Sequence, residues 1–518
     1  MTEPKPGFKQ TWKVSLVLFA VLFSIFMATS SAFFSTSDGR GGHLLPSNDA
    51  VYTAFPAWTL VHDKSLNIEK IGTEYGLPTG WGFAPKGYLN AIKDGKVIGQ
   101  QHVDGRFVSD RFPGGIFLAV PFYAIAQQKI FTMTPSDVAA AFATALAMVF
   151  LFQMLLALVP RRFALAGTVL FSFGTAVWTV PADALWSESP TLLALSISGW
   201  ALSRSSNVGA GIGYALAVFS RPHTAVIAAT TGIWQSIVQR TLRPVLTIGG
   251  ISVLGLALLV GYNKINAGKW AILTGSYAAR PGAAVSLGSG GQAKPTLWIT
   301  DYIYTFISPL HGLFVYSPFL LLLIPGLYMA WKATPSWVHS SAVGGLVYLI
   351  VQLAGNSYTG GIGFFGYRLI IVPLFLVTPL LVKSFELWTF PRTWARRTFG
   401  VLAAVSIWWF AVASVVSAEL FGNITKVTKE YTWTTWQIPT AIAQSKPGAF
   451  LLATVFVGVV AWLVWPKQEL DAAAVSSGSA SRGSADQTKS TSSQPKPSDG
   501  RKALTKAEIK ARQKAKKR

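Results

Sequence analysis

The stretch DVAAAFATALAMVFLFQMLLALVPRR, residues 137–162, decides the class of this protein. Between Asp137 and Arg161 it has no charged side chain, and Thr144 and Gln153 are its only strongly polar groups. A surface helix of a soluble protein keeps one polar face, and this segment has none. At about 1.5 Å per residue, the run 137–159 reaches across the roughly 30 Å of hydrocarbon in a bilayer.

The same pattern recurs on both sides of it. Apolar runs lie at about 14–34, 163–180, 185–203, 207–220, 223–239, 243–263, 313–331, 338–355, 368–386, 398–420 and 448–465, so twelve in all. The composition agrees, with 51% hydrophobic and 13% charged residues. Soluble domains have about a quarter charged, so a soluble enzyme is excluded. Nineteen Trp and 33 Phe suit a chain with many lipid–water boundaries. There is no cysteine, which excludes disulfides, thiolate chemistry and Cys-type metal sites. Neither a Walker loop nor a dinucleotide fingerprint is present.

At the start, Lys5, Lys9 and Lys13 precede the run Val14 to Phe34. Ser30 and Ala32 imitate a signal-peptidase site, but the run is long enough to span, so it reads as an uncleaved first helix. A shorter apolar stretch, Gly114 to Ala126, follows Pro113 and contains Pro121; it reads as a juxtamembrane segment along the bilayer surface.

Charge placement orients the spans. Twelve spans with the N-terminus inside put Arg161, Arg162, Arg204, Arg240, Arg243, Lys332, Lys383, Arg392, Arg396 and Arg397 in interior loops, with Glu386 as their only acid. The first exterior loop, residues 35–113, has eight basic and eight acidic residues. Cytoplasmic loops are the ones that concentrate Lys and Arg, so both termini are expected in the cytoplasm. Counting the Gly114 segment as a span would place Arg161 and Arg162 outside. The expected fold is therefore an all-α polytopic membrane protein of about twelve transmembrane helices, with a large first exterior loop carrying juxtamembrane helices.

The membrane domain covers residues 1–466, with exterior loops at about 35–113, 264–312 and 421–447. The first loop is too long to be a mere connection. Residues 467–518 read as a disordered, basic cytoplasmic tail, and Arg501 to Arg518 has nine basic residues against one acid. Much of the net charge of +23 sits in that tail and in short loops, which suits anionic lipid heads rather than nucleic acid.

The helix interiors are nearly free of charge. Asp183, Glu188, Arg221, His223, Lys264, Asp301, His311 and Arg368 gather at exterior helix ends instead. With Asp38, Asp49, Asp104, Arg106, Asp110 and Arg111 of the first loop they form one polar layer at the outer face. A transporter more often keeps such groups near mid-membrane and shows a duplicated hydropathy pattern, and neither is present here. An enzyme acting on lipid-linked substrates needs them at the interface. A multi-pass transporter or lipid flippase, and a non-catalytic relative or scaffold, are the alternatives.

At these residues the chain resembles the polytopic glycosyltransferases of superfamily C, in particular the bacterial group like dolichyl-phosphate-mannose-protein mannosyltransferases. Ser37-Asp38-Gly39-Arg40 follows the first helix, and Asn48-Asp49-Ala50-Val51-Tyr52 looks like the family's Gly-Asp-x-x-Tyr pattern. Asp104-Gly105-Arg106, Phe112-Pro113-Gly114-Gly115, Phe173-Gly174-Thr175 with Trp178, Ser220-Arg221-Pro222, Tyr262-Asn263-Lys264, the run Ser308 to Pro318 and Gly366-Tyr367-Arg368 continue in family order across the membrane region. The resemblance implies transfer of a sugar, with inversion, from a polyprenyl-phosphate carrier to a glycan or protein acceptor at the exterior face. The family's common Asp-Glu pair is absent, since Gly39 follows Asp38 and Ala50 follows Asp49. No cofactor is required by the pattern, and a divalent metal is left open.

Such a transfer needs a base for the acceptor hydroxyl and cations for the departing phosphate. The resemblance places the base on the first loop, at Asp49 or Asp38, with a loop turn as the plainer role for either. An amphipathic stretch from Tyr52 to Leu60 is expected to hold Asp49 against the membrane surface, where desolvation would raise its pKa. Arg368, Arg221 and Lys264 are the candidates for the phosphate, the arginines because their planar fork matches phosphate oxygens. Snorkelling toward lipid heads is the alternative for each. His311, Glu188, Tyr367, Asp104 and Arg106 are candidate substrate contacts. Arg111 ranks lower, because the neighbouring Asp110 neutralises it within the loop.

Overall fold

The computed structural model describes residues 8–30, 48–68, 100–129, 131–275, 295–355, 358, 360, 364–415, 437–445 and 447–464. Asp38, residues 69–99, 276–294 and 416–436 of the three expected exterior loops, and the expected tail lie outside them. The chain divides into a unit Met1–Trp465 and a second, Pro466–Arg518.

Each of the twelve apolar runs carries helix. In chain order the helices are α1 (Phe8–Thr29), α2 (Asn48–His62), α3 (Pro113–Ala126), α4 (Thr134–Leu155), α5 (Arg161–Phe173), α6 (Glu188–Ser203), α7 (Asn207–Ser220), α8 (Ala225–Gln239), α9 (Arg243–Ala267), α10 (Pro295–Ile307), α11 (Leu313–Tyr316), α12 (Leu327–Ala333), α13 (Ser336–Gly355), α14 (Ile371–Ser384), α15 (Thr393–Ala413), α16 (Gln437–Gln444) and α17 (Pro447–Val464). Among the described residues five segments are long and apolar enough to cross a membrane. They are Thr11–Thr29, α4, α9, Ser336–Ala354 and Ile371–Thr389, and a sixth counts if α16 and α17, bent by 116°, form one span. This is an all-α membrane protein whose one described sheet is a hairpin, β1 (Gln100–Val103) and β2 (Arg106–Ser109).

Burial sorts the helices. The apolar window of α4, the segment from which the class was read, is 78% buried, whereas that of α9 is only 28% buried. The first is a central strut, packed against α1, α3, α5 and α6. The second exposes Val253, Leu254 and Leu258, as a helix facing lipid does.

Two runs are not single helices. The run 163–180 is helical only to Phe173, and residues 174–187 form a buried series of turns. There the Gly174 carbonyl oxygen accepts from the Ser317 hydroxyl at 2.8 Å, and a Cβ at Gly174 would come within 2.9 Å of Leu170 O. The run 313–331 breaks into α11, a 3-10 segment Pro318–Gly326 and α12, as Pro318 and Pro325 remove backbone donors. A third correction concerns α2. It is not an amphipathic surface helix, because Ala50 to Thr59 are all buried. It packs against α3, which occupies the expected juxtamembrane stretch.

Contacts between helix termini mark two ends. At one end Trp178 Nε1 donates to Thr29 Oγ1 at 2.8 Å, and Asn266 Nδ2 donates to Ser109 O at 2.8 Å. At the other, Gln153 joins Ser15 (2.7 Å) to Arg204 (3.3 Å), and Arg162 lies over the Phe390 ring.

Candidate functional site

Five separate parts of the chain bring charge to the first of these ends. Asp49 is the second residue of α2, where a carboxylate complements the positive helix terminus. Arg111 sits between β2 and α3. Its backbone N–H donates to Ser109 Oγ at 3.1 Å, and that hydroxyl donates to Tyr52 O at 2.6 Å, so the hairpin exit is fixed on α2. Glu188 opens α6, and Arg221 follows α7 in extended conformation. Since α6 and α7 are an antiparallel pair, the start of one and the end of the other coincide.

Arg368 comes from the loop before α14, which is tightly held. Gly366 has φ +86°, and a Cβ there would meet Phe410 at 2.9 Å, so this position requires glycine. Gly366 N–H donates to Gln437 Oε1 at 2.9 Å, and its carbonyl accepts from His311 Nδ1. Burial lowers the His311 pKa to about 4, which keeps the ring neutral with Nδ1 as the donor. Tyr367 OH pairs with Ser317 Oγ at 2.8 Å. His311 and Tyr367, expected as substrate contacts, thus hold the loop that presents Arg368.

These side chains form one continuous network. Arg111 Nη1 donates to Asp49 Oδ1 at 2.9 Å and Arg368 Nη1 to Asp49 Oδ2 at 2.7 Å. Arg368 Nε and Arg221 Nη1 both donate to Glu188 Oε1, at 2.9 and 2.7 Å. The Arg368 guanidinium also lies 4.2 Å from the Trp186 ring centroid. Three arginines against Asp49 and Glu188 leave one positive charge. Asp110 lies near that balance, with Oδ1 3.6 Å from Arg111 Nε. The Glu188 side chain is 0% exposed and the arginines 6–7%, whereas Asp49 is 26% exposed, so Asp49 is the accessible edge. It faces a small opening lined in part by Thr53, Arg111, Ser187 and Ser220.

The surroundings of Asp49 reverse one expectation. Burial alone pushes its pKa up, but Arg111 and Arg368 outweigh that and hold it at about 2. Its contribution to folding is therefore complete above the ordinary carboxylate range and is lost only as pH falls toward 2.

Three expected residues lie apart from the network. Lys264 Nζ is exposed and donates to Gly268 O at 3.2 Å. Asp104 (φ +48°) and Gly105 (φ +76°) make the two-residue turn of the hairpin. Arg106 Nη2 reaches Ile265 O at 3.5 Å. Conversely, Arg111 and Trp186 belong to the site although neither was a leading candidate. The Trp186 signal was its place between Asp183 and Glu188. Glu188, a candidate substrate contact, clamps two arginines. Among the described residues, no three His, Asp or Glu side chains could together hold a metal ion.

No protein-family model matches the chain, and no curated protein matches it. One solved structure is similar, that of ArnT from Cupriavidus metallidurans bound to undecaprenyl phosphate. The match covers 87% of this chain and 76% of that one, at 12% identity and a TM-score of 0.41, values too low to bear on function.

Proposed function

We propose that the chain is a membrane glycosyltransferase. It moves a sugar from a polyprenyl-phosphate carrier to a glycan or protein acceptor at the exterior face of the cell membrane. The observation that carries this reading is the buried network itself. Three guanidinium groups converge at one end of a helix bundle, and a single carboxylate, Asp49, is left open beside them. Buried arginine forks suit phosphate oxygens, and preorganised cations stabilise a departing phosphate.

In the reaction, the acceptor hydroxyl oxygen forms a bond to C1 of the sugar while the C1–O bond to the carrier phosphate breaks. The electron pair leaves with the polyprenyl phosphate, which gains one negative charge held by the arginines. The acceptor's proton goes to Asp49. A single displacement of this kind inverts C1. Glu188 keeps Arg221 and Arg368 in place, and a lipid-borne donor reaches a site at a helix-bundle end without leaving the membrane.

The test is incubation of purified protein with a panel of polyprenyl-phosphate sugars and acceptor extracts. Release of polyprenyl phosphate from at least one donor is expected. Movement of intact carrier lipid across a bilayer, with no release from any donor, would identify a flippase instead. The orientation rests on the basic residues Arg161, Arg162, Arg204, Arg240 and Arg243 at the opposite helix ends. Reporter fusions after Arg162 and near residue 90 are expected to read cytoplasm and exterior. The same side for both would remove the exterior assignment.

A further inference from the structure

We propose that Arg111 belongs to the phosphate site, and that the donor's phosphate displaces Asp49 from Arg111 and Arg368, freeing this carboxylate as the base only once a donor is bound. The inference rests on the transferase reading above and adds an order of events to it.

The geometry is that of a carboxylate occupying a phosphate's place. Each Asp49 oxygen takes one guanidinium, Arg111 on Oδ1 and Arg368 on Oδ2. Two oxygens of a phosphate present the same pair of acceptors with more charge. The small opening beside the network is lined by Asp49 and Arg111 together, with Thr53, Ser187 and Ser220 around it. An anion entering there meets the open edge of Asp49 first. Two anions cannot share that contact without repulsion, whereas both arginines are within reach of either. Glu188 does not compete in this way, because it is fully buried behind Arg221 and Arg368.

The exchange answers a chemical difficulty. While its two arginines hold it, Asp49 is a weak base, with a pKa near 2. Once the phosphate takes those arginines, the burial that remains and the phosphate's own charge both favour the protonated form. No further reactant is needed, because the proton that Asp49 then accepts is the acceptor hydroxyl's own. The donor must bind before the acceptor can react, which protects the activated sugar from attack in an incomplete site.

The test is equilibrium binding to the purified full-length protein in detergent. The probes are polyprenyl phosphate, the uncharged polyprenol and inorganic phosphate as competitor. Asp49→Asn removes the competing charge and is expected to bind polyprenyl phosphate about tenfold more tightly than the parent, although it transfers far more slowly. Arg111→Ala is expected to bind about ten- to a hundredfold more weakly, and Arg111→Lys in between. A purely structural role for Asp49 would not give tighter binding, and a misfolded variant cannot. Inorganic phosphate is expected to compete, and more strongly in the Asn variant. Parental protein that binds polyprenyl phosphate, with Asp49→Asn and Arg111→Ala unchanged, overturns the exchange and leaves the transferase reading standing. Equal binding of polyprenol and polyprenyl phosphate by the parental protein, with no competition from inorganic phosphate, overturns the phosphate site and that reading with it.

Discussion

Asp49→Asn is expected to lower sugar transfer by about 10²–10⁴-fold, the usual contribution of a general base. The amide keeps the shape of the carboxylate and removes its capacity to take the acceptor's proton. Asp49 is also the one member of the network open to an incoming group, at 26% exposure against 0–7% for its partners. The loss is expected in the rate at saturating donor, not in donor affinity. Comparison of single-turnover rates for the two proteins is the measurement. Transfer at the parental rate by Asp49→Asn would move the base elsewhere, with Asp38 next in line.

Arg368→Ala is expected to do two kinds of damage. The side chain joins Asp49 to Glu188, which is fully buried, and it lies on the Trp186 ring. The fold is expected to suffer too, because the deletion leaves Arg221 as the sole arginine on Glu188. Breaking one partner of a buried ion pair typically costs about 3–5 kcal/mol. A clear fall in the thermal unfolding temperature in detergent is expected, together with loss of polyprenyl-phosphate binding. Arg368→Lys retains the charge but cannot serve Glu188 and Asp49 through separate nitrogens of one plane, nor stack on Trp186 as well. It is expected to recover stability more than binding. An alanine variant as stable as the parent would show that Glu188 does not depend on this arginine.

The sequence made the helical runs and the layer of charge at their ends legible for one reason. Lipid tolerates neither charge nor unpaired backbone, so apolar length and charge placement are written almost directly into the residue order. Asp49, Glu188, Arg221 and Arg368 were all visible as members of that layer. Their pairing was not. Arg368 meets Asp49 across 319 positions and Glu188 across 180, and no local pattern encodes such meetings. Lys264 and Arg221 look equivalent in sequence, as basic groups at helix ends. Only the rotation of each helix in the bundle sends one to the network and the other outward. Arg111 was discounted because Asp110 adjoins it, yet its shorter ion pair, at 2.9 Å, is with Asp49. The burial of α2 was hidden as well, since an apolar face toward lipid and one toward protein use the same residues. The break after Phe173 depends on Ser317, far away in the chain.

The most direct test of the account is the position of a carrier phosphate in a cryo-electron-microscopy structure of the protein with polyprenyl phosphate bound. The account predicts phosphate oxygens within hydrogen-bonding distance of Arg111, Arg221 or Arg368, in the opening beside Asp49. A phosphate resolved at the opposite ends of the helices, among Arg161, Arg204 and Arg240, would contradict it.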